Sequence, residues 1–189
     1  MKIKKIFFWQ PQEDILKKLL SINLGKFLVI FLNYSIWVFL FFVSYLLVKK
    51  DPNIFWQLLL ATIIGEIIEQ LVKKQIYWRR PLFERKDKTP PGLVDRWYKT
   101  GSFPSGHSIK AVFFFLFILQ YGVIHPLTFS LIAIPLILFR VLVGFHYPID
   151  ILGGLSIGTI IWFISRGIVF PVPLINLAKS AFDLVFFIH

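Results

Sequence analysis

FLVIFLNYSIWVFLFFVSYLLV, residues 27–48, contains no charged side chain anywhere along its length. A helix rises about 1.5 Å per residue, and the hydrocarbon core of a bilayer is about 30 Å thick. A helix formed by this stretch is therefore long enough to cross the bilayer without exposing a charge to lipid. The stretch predicts an integral membrane protein.

The rest of the chain has the same apolar character. Of its 189 residues, 57% are hydrophobic and 22 are Phe, which exceeds what the core of a soluble domain of this size needs. Four further apolar stretches follow, at 54–72, 108–124, 127–144 and 149–170. Residues 171–189 either cross the membrane or lie on its surface, because Pro171 and Pro173 interrupt their pattern. We predict an all-α fold, a polytopic membrane bundle of five to six transmembrane helices in which residues 1–189 form a single membrane-embedded domain.

The first 24 residues differ from the spans because they are both apolar and basic. Lysines at positions 4, 5, 17 and 18 alternate with apolar side chains at helical spacing. This pattern is typical of a helix that lies in the membrane interface, so we predict an interfacial amphipathic helix at 1–24. Tryptophans near the predicted span ends are interpreted as interfacial anchors; they are Trp56, Trp78 and Trp97.

The formal net charge of +11 limits the classes of partner. A nucleic-acid-binding protein would not place most of its length in lipid-spanning segments, so we expect no nucleic acid partner. The basic charge is better matched by anionic lipid of the bilayer, and no required protein partner is evident. The absence of cysteine excludes disulfides, thiolate metal sites and cysteine nucleophiles.

Cationic and imidazole side chains interrupt the apolar chain in three clusters. The clusters are Lys73 with Arg80-Pro81, then Pro104-Ser105-Gly106-His107, then Arg140 with His146 and Asp150. Ionisable groups inside a membrane protein are costly to bury and generally face one another or a water-filled cavity. We therefore predict that the clusters line one polar cavity in which an anionic ligand balances their charge, as in a phosphate-ester active site.

The order and spacing of the three clusters resemble those of the type 2 phosphatidic acid phosphatase family, over residues 73–150. Each cluster lies beside a predicted span, and the combination is far more specific than any one of its parts. The resemblance implies a membrane lipid phosphatase similar to small bacterial members of the family. One position departs from the family pattern, because Phe139 stands where a serine usually precedes the arginine of the third cluster.

His146 and Asp150 are the predicted centre of the chemistry. They lie four residues apart and would share one face of a helix. Asp150 would then orient the imidazole, leave one ring nitrogen free to attack phosphorus, and stabilise the charge that develops. We predict that His146 is the nucleophile and forms a phosphohistidine intermediate; from this spacing alone, a buried structural His-Asp pair is the alternative.

His107 is predicted at the start of a span, where helix N–H groups favour an anion. It would protonate the departing lipid oxygen and later accept a proton from water. The predicted phosphate cradle consists of Lys73, Arg80, Ser105, Gly106 and Arg140. Three cations could replace a metal, and the sequence shows no carboxylate and histidine cluster with metal-ligand spacing, so we predict neither a metal nor another cofactor.

The long polar connection at 75–106 holds or adjoins two of the clusters. A connection of this length is more often functional than idle. We predict an active-site loop whose charged side chains form a lid or read the lipid headgroup, with a solvated linker as the alternative. These side chains are Glu84, Arg85, Lys86, Lys88, Arg96 and Lys99.

Further charged and small residues lie within the predicted spans. Glu69 is four residues from Lys73, which predicts a structural ion pair. Lys110 either flanks the cavity or extends its amine to the interface. Gly154 and Gly158 form a small-xxx-small pattern that predicts close packing between helices.

Two indications of membrane orientation disagree. Two predicted spans precede the site, so the N-terminus and the site share one side of the membrane. The distribution of lysines places that side in the cytoplasm, whereas the family resemblance implies the outer face. Following the resemblance, we predict a multi-pass protein of the cell inner (cytoplasmic) membrane with its active site at the periplasmic face.

The sequence thus predicts an integral membrane lipid phosphatase that hydrolyses a phosphate from a membrane-anchored lipid. By overall resemblance to small bacterial members, we expect a lipid A 1-phosphatase. Undecaprenyl diphosphate phosphatase and phosphatidylglycerophosphate phosphatase are alternatives. A lipid phosphotransferase and a non-enzymatic lipid-binding protein are alternatives of other classes.

Overall fold

The computed structural model describes residues 6–10, 21–84 and 100–186. Within these ranges the chain forms helices joined by irregular connections, which confirms the predicted all-α fold. The helices are α1 (Asn23–Lys50), α2 (Asn53–Lys74), α3 (Pro81–Glu84), α4 (Gly106–Tyr121), α5 (Pro126–Leu142), α6 (Pro148–Ser165) and α7 (Val172–Phe186).

Five of these helices correspond to the predicted spans. By length and composition, α1, α2 and α6 can cross a membrane, and α4 and α5 are shorter apolar helices of 16 and 17 residues. Large apolar side chains, such as Phe41 and Leu131, are exposed on the outside of the bundle, as lipid-facing residues are. The predicted polytopic membrane bundle is confirmed.

α4 ends three residues before the apolar run that predicts it. Gly122 takes the left-handed conformation, with φ of 64°, and its N–H donates to the carbonyl of Ile118 at 2.8 Å. Glycine adopts this conformation without the strain that a side chain would bring, so the helix stops at Tyr121.

α6 also ends early, at Ser165 rather than at residue 170. The amide of Gln57, on α2, donates to the carbonyls of Arg166 and Ile168 at 3.2 and 2.9 Å. These carbonyls are therefore satisfied by a neighbouring helix instead of by a continuation of α6.

The C-terminal segment, for which the sequence leaves both a crossing and a surface position open, forms α7. It has 15 residues and is not among the helices that are long and apolar enough to cross a membrane. It packs along the bundle: the indole of Trp56 donates to the carbonyl of Leu174 at 2.8 Å, and Phe182 and Phe186 contact Tyr45.

Most of the interfacial helix predicted at 1–24 lies outside the described residues, as does Trp97. Residues 6–10 are described, and residue 24 belongs to α1. The ring of Phe8 lies 5.1 Å, centroid to centroid, from the rings of both Trp78 and Tyr147. The segment 6–10 therefore lies against the connections that carry the candidate site.

The largest helix contact of the bundle joins α4 and α6. A Cβ atom at Gly154 would come within 2.6 Å of the carbonyl oxygen of Ser105, and one at Gly158 would overlap the carbonyl of Ile109. The close packing predicted from the two glycines is confirmed. This contact fixes the N-terminal ends of α4 and α6 side by side, next to the C-terminal ends of α2 and α5.

Candidate active site

A cavity of about 340 Å³ lies where these four helix ends meet. Its wall includes residues from all three sequence clusters, namely Lys73, Arg80, Gly106, His107, Arg140 and His146. The rest of the wall consists of Trp37, Glu66, Glu69, Gln70, Lys74, Thr100, Lys110 and Phe145. The fold therefore brings together residues from all three clusters, although Lys73 and His146 lie about 70 positions apart in the chain.

His146 lies in the connection between α5 and α6, and it does not share a helix with Asp150 as the spacing predicts. Tyr147 is extended, with φ of −85° and ψ of 160°, and Pro148 begins α6, since a residue before proline disfavours the helical conformation. The two side chains still meet: Nδ1 of His146 lies 3.4 Å from Oδ2 of Asp150. The same carboxylate oxygen accepts the N–H of Tyr147 at 2.8 Å, which caps α6.

His146 lies in a buried and electropositive environment. Its side chain is 2% exposed. Burial lowers the pKa of His146 well below 6.5, and the positive charges of Arg80, Lys73 and Arg140 lower it further. The imidazole is therefore neutral near pH 7, as a nucleophile must be.

Three cations reach the cavity from different parts of the chain. Lys73, in the last turn of α2, pairs with Glu69 as predicted. Arg80 donates through Nη1 to the carbonyl of Phe145 at 3.1 Å, and the guanidinium carbon of Arg140 lies 4.7 Å from the centroid of the Phe145 ring. Phe145 thus fixes both guanidinium groups beside the imidazole that follows it in the chain.

His107 occupies the first turn of α4, preceded by Gly106. Its Nε2 atom is buried and has no hydrogen-bond partner among the described residues, and its ring meets Trp37 edge-on at 5.4 Å between centroids. A Cβ atom at Gly106 would overlap the carboxylate of Glu69, so glycine allows α4 to begin this close to α2. The unpaired nitrogen therefore lies beside the positive end of a helix, which favours an anion.

Ser105 is not among the residues that line the cavity, and its hydroxyl as part of the phosphate cradle stays a prediction. The residue is fully buried, and its hydroxyl accepts a hydrogen bond from Ser108 at 3.0 Å within the contact between α4 and α6. Its N–H donates to the carbonyl of Asp150, also at 3.0 Å. Ser105 ties the start of α4 to the start of α6.

Phe139, where the family pattern has serine, also lies off the cavity wall. Its ring packs against a small apolar cluster formed by Leu82, Val143 and Phe145. The side chain therefore packs against the connection that carries His146, and it is not part of the cavity wall.

Lys110 flanks the cavity, and this decides between the two alternatives for its side chain. The residue is 5% exposed, so its amine does not extend to the interface. Nζ lies 2.5 Å from Oε1 of Glu66, 3.7 Å from Oε2 of Glu69 and 5.2 Å from the centroid of the Trp37 ring. The acidic residues of the cavity are thus paired with lysines, which offsets the cost of burying charge within a membrane.

The predicted loop at 75–106 begins with a short helix, α3, that the sequence does not predict. The N–H of Leu82 donates to the carbonyl of Gly144 at 2.9 Å, which docks α3 onto the connection between α5 and α6. Glu84 accepts a hydrogen bond from the hydroxyl of Tyr147 at 2.7 Å. The other predicted lid residues, Arg85, Lys86, Lys88, Arg96 and Lys99, lie outside the described residues.

Two tryptophans reach the site without having been predicted there. Trp37, on α1, contacts His107, and Trp78 donates its indole N–H to Asp150 at 2.9 Å although its sequence position indicates an interfacial anchor. An indole near a span end looks the same in sequence in either role. For Trp78 the sequence does contain an indication of a position near the site, because this residue lies between Lys73 and Arg80, the two basic residues of the first cluster.

The model of one protein family, the PAP2 superfamily, matches residues 53–172, more than half of the chain. The chain belongs to the PAP2 superfamily. No curated protein sequence matches it. A solved structure described as the first transmembrane PAP2 type phosphatidylglycerolphosphate phosphatase from Bacillus subtilis is 19% identical, with a TM-score of 0.47 and coverage of 87% of this chain and 80% of that chain. The PAP2 region contains α2 to α6 and every candidate residue of the three clusters.

Proposed function

We propose that this PAP2 protein is an integral membrane lipid phosphatase that works through a phosphohistidine at His146. The observation that carries the proposal is the convergence of Lys73, Arg80 and Arg140 on one cavity with two imidazoles. One imidazole is oriented by Asp150, and the other presents an unpaired nitrogen. Cations around a cavity suit a phosphate group, and the two histidines differ in the way that a nucleophile and an acid must differ.

The first half-reaction transfers the phosphoryl group from lipid to protein. With Nδ1 of His146 directed at Asp150, Nε2 is the nitrogen proposed to attack phosphorus. The P–N bond forms while the P–O bond to the lipid breaks, and His107 gives its proton to the departing oxygen. The bound phosphate dianion favours the protonated, positively charged form of His107 before the reaction begins, because opposite charges a few ångströms apart attract.

The second half-reaction regenerates the protein. His107, now neutral, takes a proton from water, the water oxygen attacks phosphorus, and the P–N bond breaks. Inorganic phosphate leaves, and Asp150 again faces a neutral imidazole. Each proton that His107 gives in the first step is recovered in the second, so the cycle balances with water as the co-reactant.

The cations would stabilise the transferred group in both steps. Phosphoryl transfer depends mainly on positioning and on stabilising charge, and one well-placed arginine is worth about 10³ to 10⁵ in rate in other phosphoryl-transfer enzymes. Lys73, Arg80 and Arg140 supply positive charge to the cavity from three places in the chain. We therefore propose a metal-independent phosphatase.

For the substrate we propose lipid A 1-phosphate, with undecaprenyl diphosphate and phosphatidylglycerophosphate as alternatives. Support comes from the overall resemblance of the sequence to small bacterial members of the family. The site is proposed to face the periplasm from a protein in the cell inner membrane.

The test is phosphate release by purified protein in detergent with EDTA, across the three proposed lipids and phosphatidic acid. Wild type and His125→Ala should release phosphate, whereas His146→Ala should not. His125→Ala is the matched control, because His125 is exposed and lies at the start of α5, away from the site. Inhibition by EDTA would contradict metal independence. A product formed only with an added alcohol acceptor would indicate a phosphotransferase, and lipid binding without turnover in both wild type and His146→Ala would indicate a binding protein.

A further inference from the structure

The carboxylate of Asp150 has two oxygens with different partners. Oδ2 lies 3.4 Å from Nδ1 of His146 and accepts the backbone N–H of Tyr147 at 2.8 Å. Oδ1 accepts the indole N–H of Trp78 at 2.9 Å. One oxygen thus faces the imidazole and the helix cap, and the other is held by a side chain from a separate part of the chain.

We propose that Trp78 is a positioning residue that fixes the carboxylate plane of Asp150 and, through it, the imidazole of His146. The proposal rests on the function proposed above, in which His146 attacks phosphorus. The final torsion of an aspartate is broad, so a donor on one oxygen leaves the carboxylate free to rotate. A second donor on the other oxygen restricts that rotation, and a hydrogen bond to a charged acceptor is stronger than a neutral one.

The indole is itself held in place. Its ring lies 5.1 Å from the ring of Phe8 at an interplanar angle of 77°, and 5.3 Å from the ring of Phe103 at 60°. The contact with Phe8 is edge-to-face, a preferred geometry of aromatic pairs, and the contact with Phe103 is tilted, so the indole is packed by two rings. Phe8 also meets Tyr147, whose hydroxyl accepts a hydrogen bond from Gln10 at 3.1 Å. The segment 6–10 therefore packs against Trp78 and Tyr147, two residues that donate hydrogen bonds to Asp150.

The first test compares Trp78→Phe with Trp56→Phe in purified protein. Both substitutions remove an indole N–H that donates a hydrogen bond of 2.8–2.9 Å, but Trp56 donates to the carbonyl of Leu174 on α7. Loss of the outer partner of a metal-site ligand typically costs about 10- to 100-fold in activity, and Trp78 holds a comparable outer position behind His146. We expect Trp78→Phe to lower kcat by about that factor while KM and inhibition by vanadate change by less than about twofold, because the cationic cradle is intact. Trp56→Phe should keep the wild-type kcat, and equal kcat values for the two variants would overturn the proposal.

The second test asks whether Trp78 acts through Asp150. In an Asp150→Ala background, which removes the acceptor of the indole N–H, Trp78→Phe should lower the residual rate by less than about twofold, because partners in one network are not additive. This rate is measured at high enzyme concentration. The full loss in that background would overturn the proposal. If Trp78→Phe does not purify as a folded protein, the variant Trp78→3-benzothienylalanine takes its place, because this side chain keeps the two-ring shape and has sulfur instead of the N–H. A wild-type kcat for that variant would also overturn the proposal.

The two proposals fail in different ways. If wild type releases no phosphate from any lipid, the proposed function is wrong and the role of Trp78 falls with it. If wild type releases phosphate and Trp78→Phe does so equally well, the function stands and the positioning role alone is wrong.

Discussion

The two imidazoles of the cavity have different surroundings, and this difference assigns their roles. His146 is held by Asp150, whereas Nε2 of His107 is buried without a partner in the described part of the chain. A carboxylate behind an imidazole favours attack, because it stabilises the charge that forms on the ring. An unpaired nitrogen beside a bound phosphate can instead exchange a proton with the leaving group.

His107→Ala tests the role of acid. It should slow hydrolysis of lipid substrates by about 10²- to 10⁴-fold, the usual worth of general acid catalysis. Hydrolysis of p-nitrophenyl phosphate should be slowed far less, because its leaving group needs no proton. The measurement is kcat/KM for both substrates, with His125→Ala as the control; equal losses on the two substrates would remove His107 as the acid.

The pH dependence of kcat/KM tests the environment of His146. Because the pKa of His146 is lowered below 6.5, its imidazole stays neutral as the pH falls past 6.5 and gains a proton only below it. Activity should therefore be retained at pH 6.5 and be lost on an acid limb at lower pH, since kcat/KM reports the free protein. If the acid limb is centred at the same pH for soluble phosphate esters whose second pKa values differ, it reports a group of the protein and not of the substrate. An acid limb centred above pH 6.5 would contradict the buried, electropositive environment of His146.

For individual residues, the sequence predicts which side chains form the phosphate site better than it predicts which side chains contact one another. Spacing and residue type predict Lys73, Arg80 and Arg140 around one phosphate site, and the cavity contains all three. They do not predict that Ser105 faces Ser108, or that Trp78 donates to Asp150. Those contacts depend on how two helices and a loop meet, which local pattern does not encode.

The contact between α4 and α6 decides whether the second and third clusters meet. Gly158→Ala tests it, because the added methyl would overlap Val112 and the carbonyl of Ile109. Overpacking of this kind costs about 1–3 kcal/mol, more than the helix propensity that alanine adds. The thermal midpoint in detergent should fall for Gly158→Ala and stay near the wild-type value for Gly167→Ala, where nothing lies within 4 Å of the added Cβ. Equal midpoints would contradict the close packing.

Hydropathy predicts where the helices lie but not where they end. The five apolar runs correspond to α1, α2, α4, α5 and α6. Their ends depend on single residues, such as Gly122 after α4 and Pro148 at the start of α6. α3 is missed because four residues are too few for a periodic pattern. Its position depends on contacts with residues distant in the chain, such as the hydrogen bonds of Leu82 with Gly144 and of Glu84 with Tyr147.

At the scale of the whole molecule, the proposed orientation can be tested directly because the chain contains no cysteine. Gln75 follows α2 at the end that carries the site, and Lys50 ends α1 at the opposite end; both are exposed. A membrane-impermeant maleimide should label Gln75→Cys in intact cells and Lys50→Cys only after permeabilisation. The reverse pattern would place the site in the cytoplasm, as the lysine distribution indicates.

Class, fold and cavity follow from patterns within the chain, whereas substrate and orientation do not. The phosphate group is common to every proposed substrate, and the cations of the cavity recognise that shared part. Discrimination between lipids depends on the rest of the headgroup. The predicted headgroup-reading side chains between Arg85 and Lys99 remain a prediction, as does the interfacial helix at 1–24.

Trapping the phosphoenzyme is the most direct test of the central claim that His146 carries the phosphoryl group. Wild-type protein mixed with a ³²P-labelled lipid substrate and quenched within milliseconds should carry a label that is stable to base, labile to acid and located on His146. His146→Ala should carry none, and the label on Asp150→Asn should form more slowly. Phosphate release without a label on wild type, or turnover by His146→Ala, would contradict the claim.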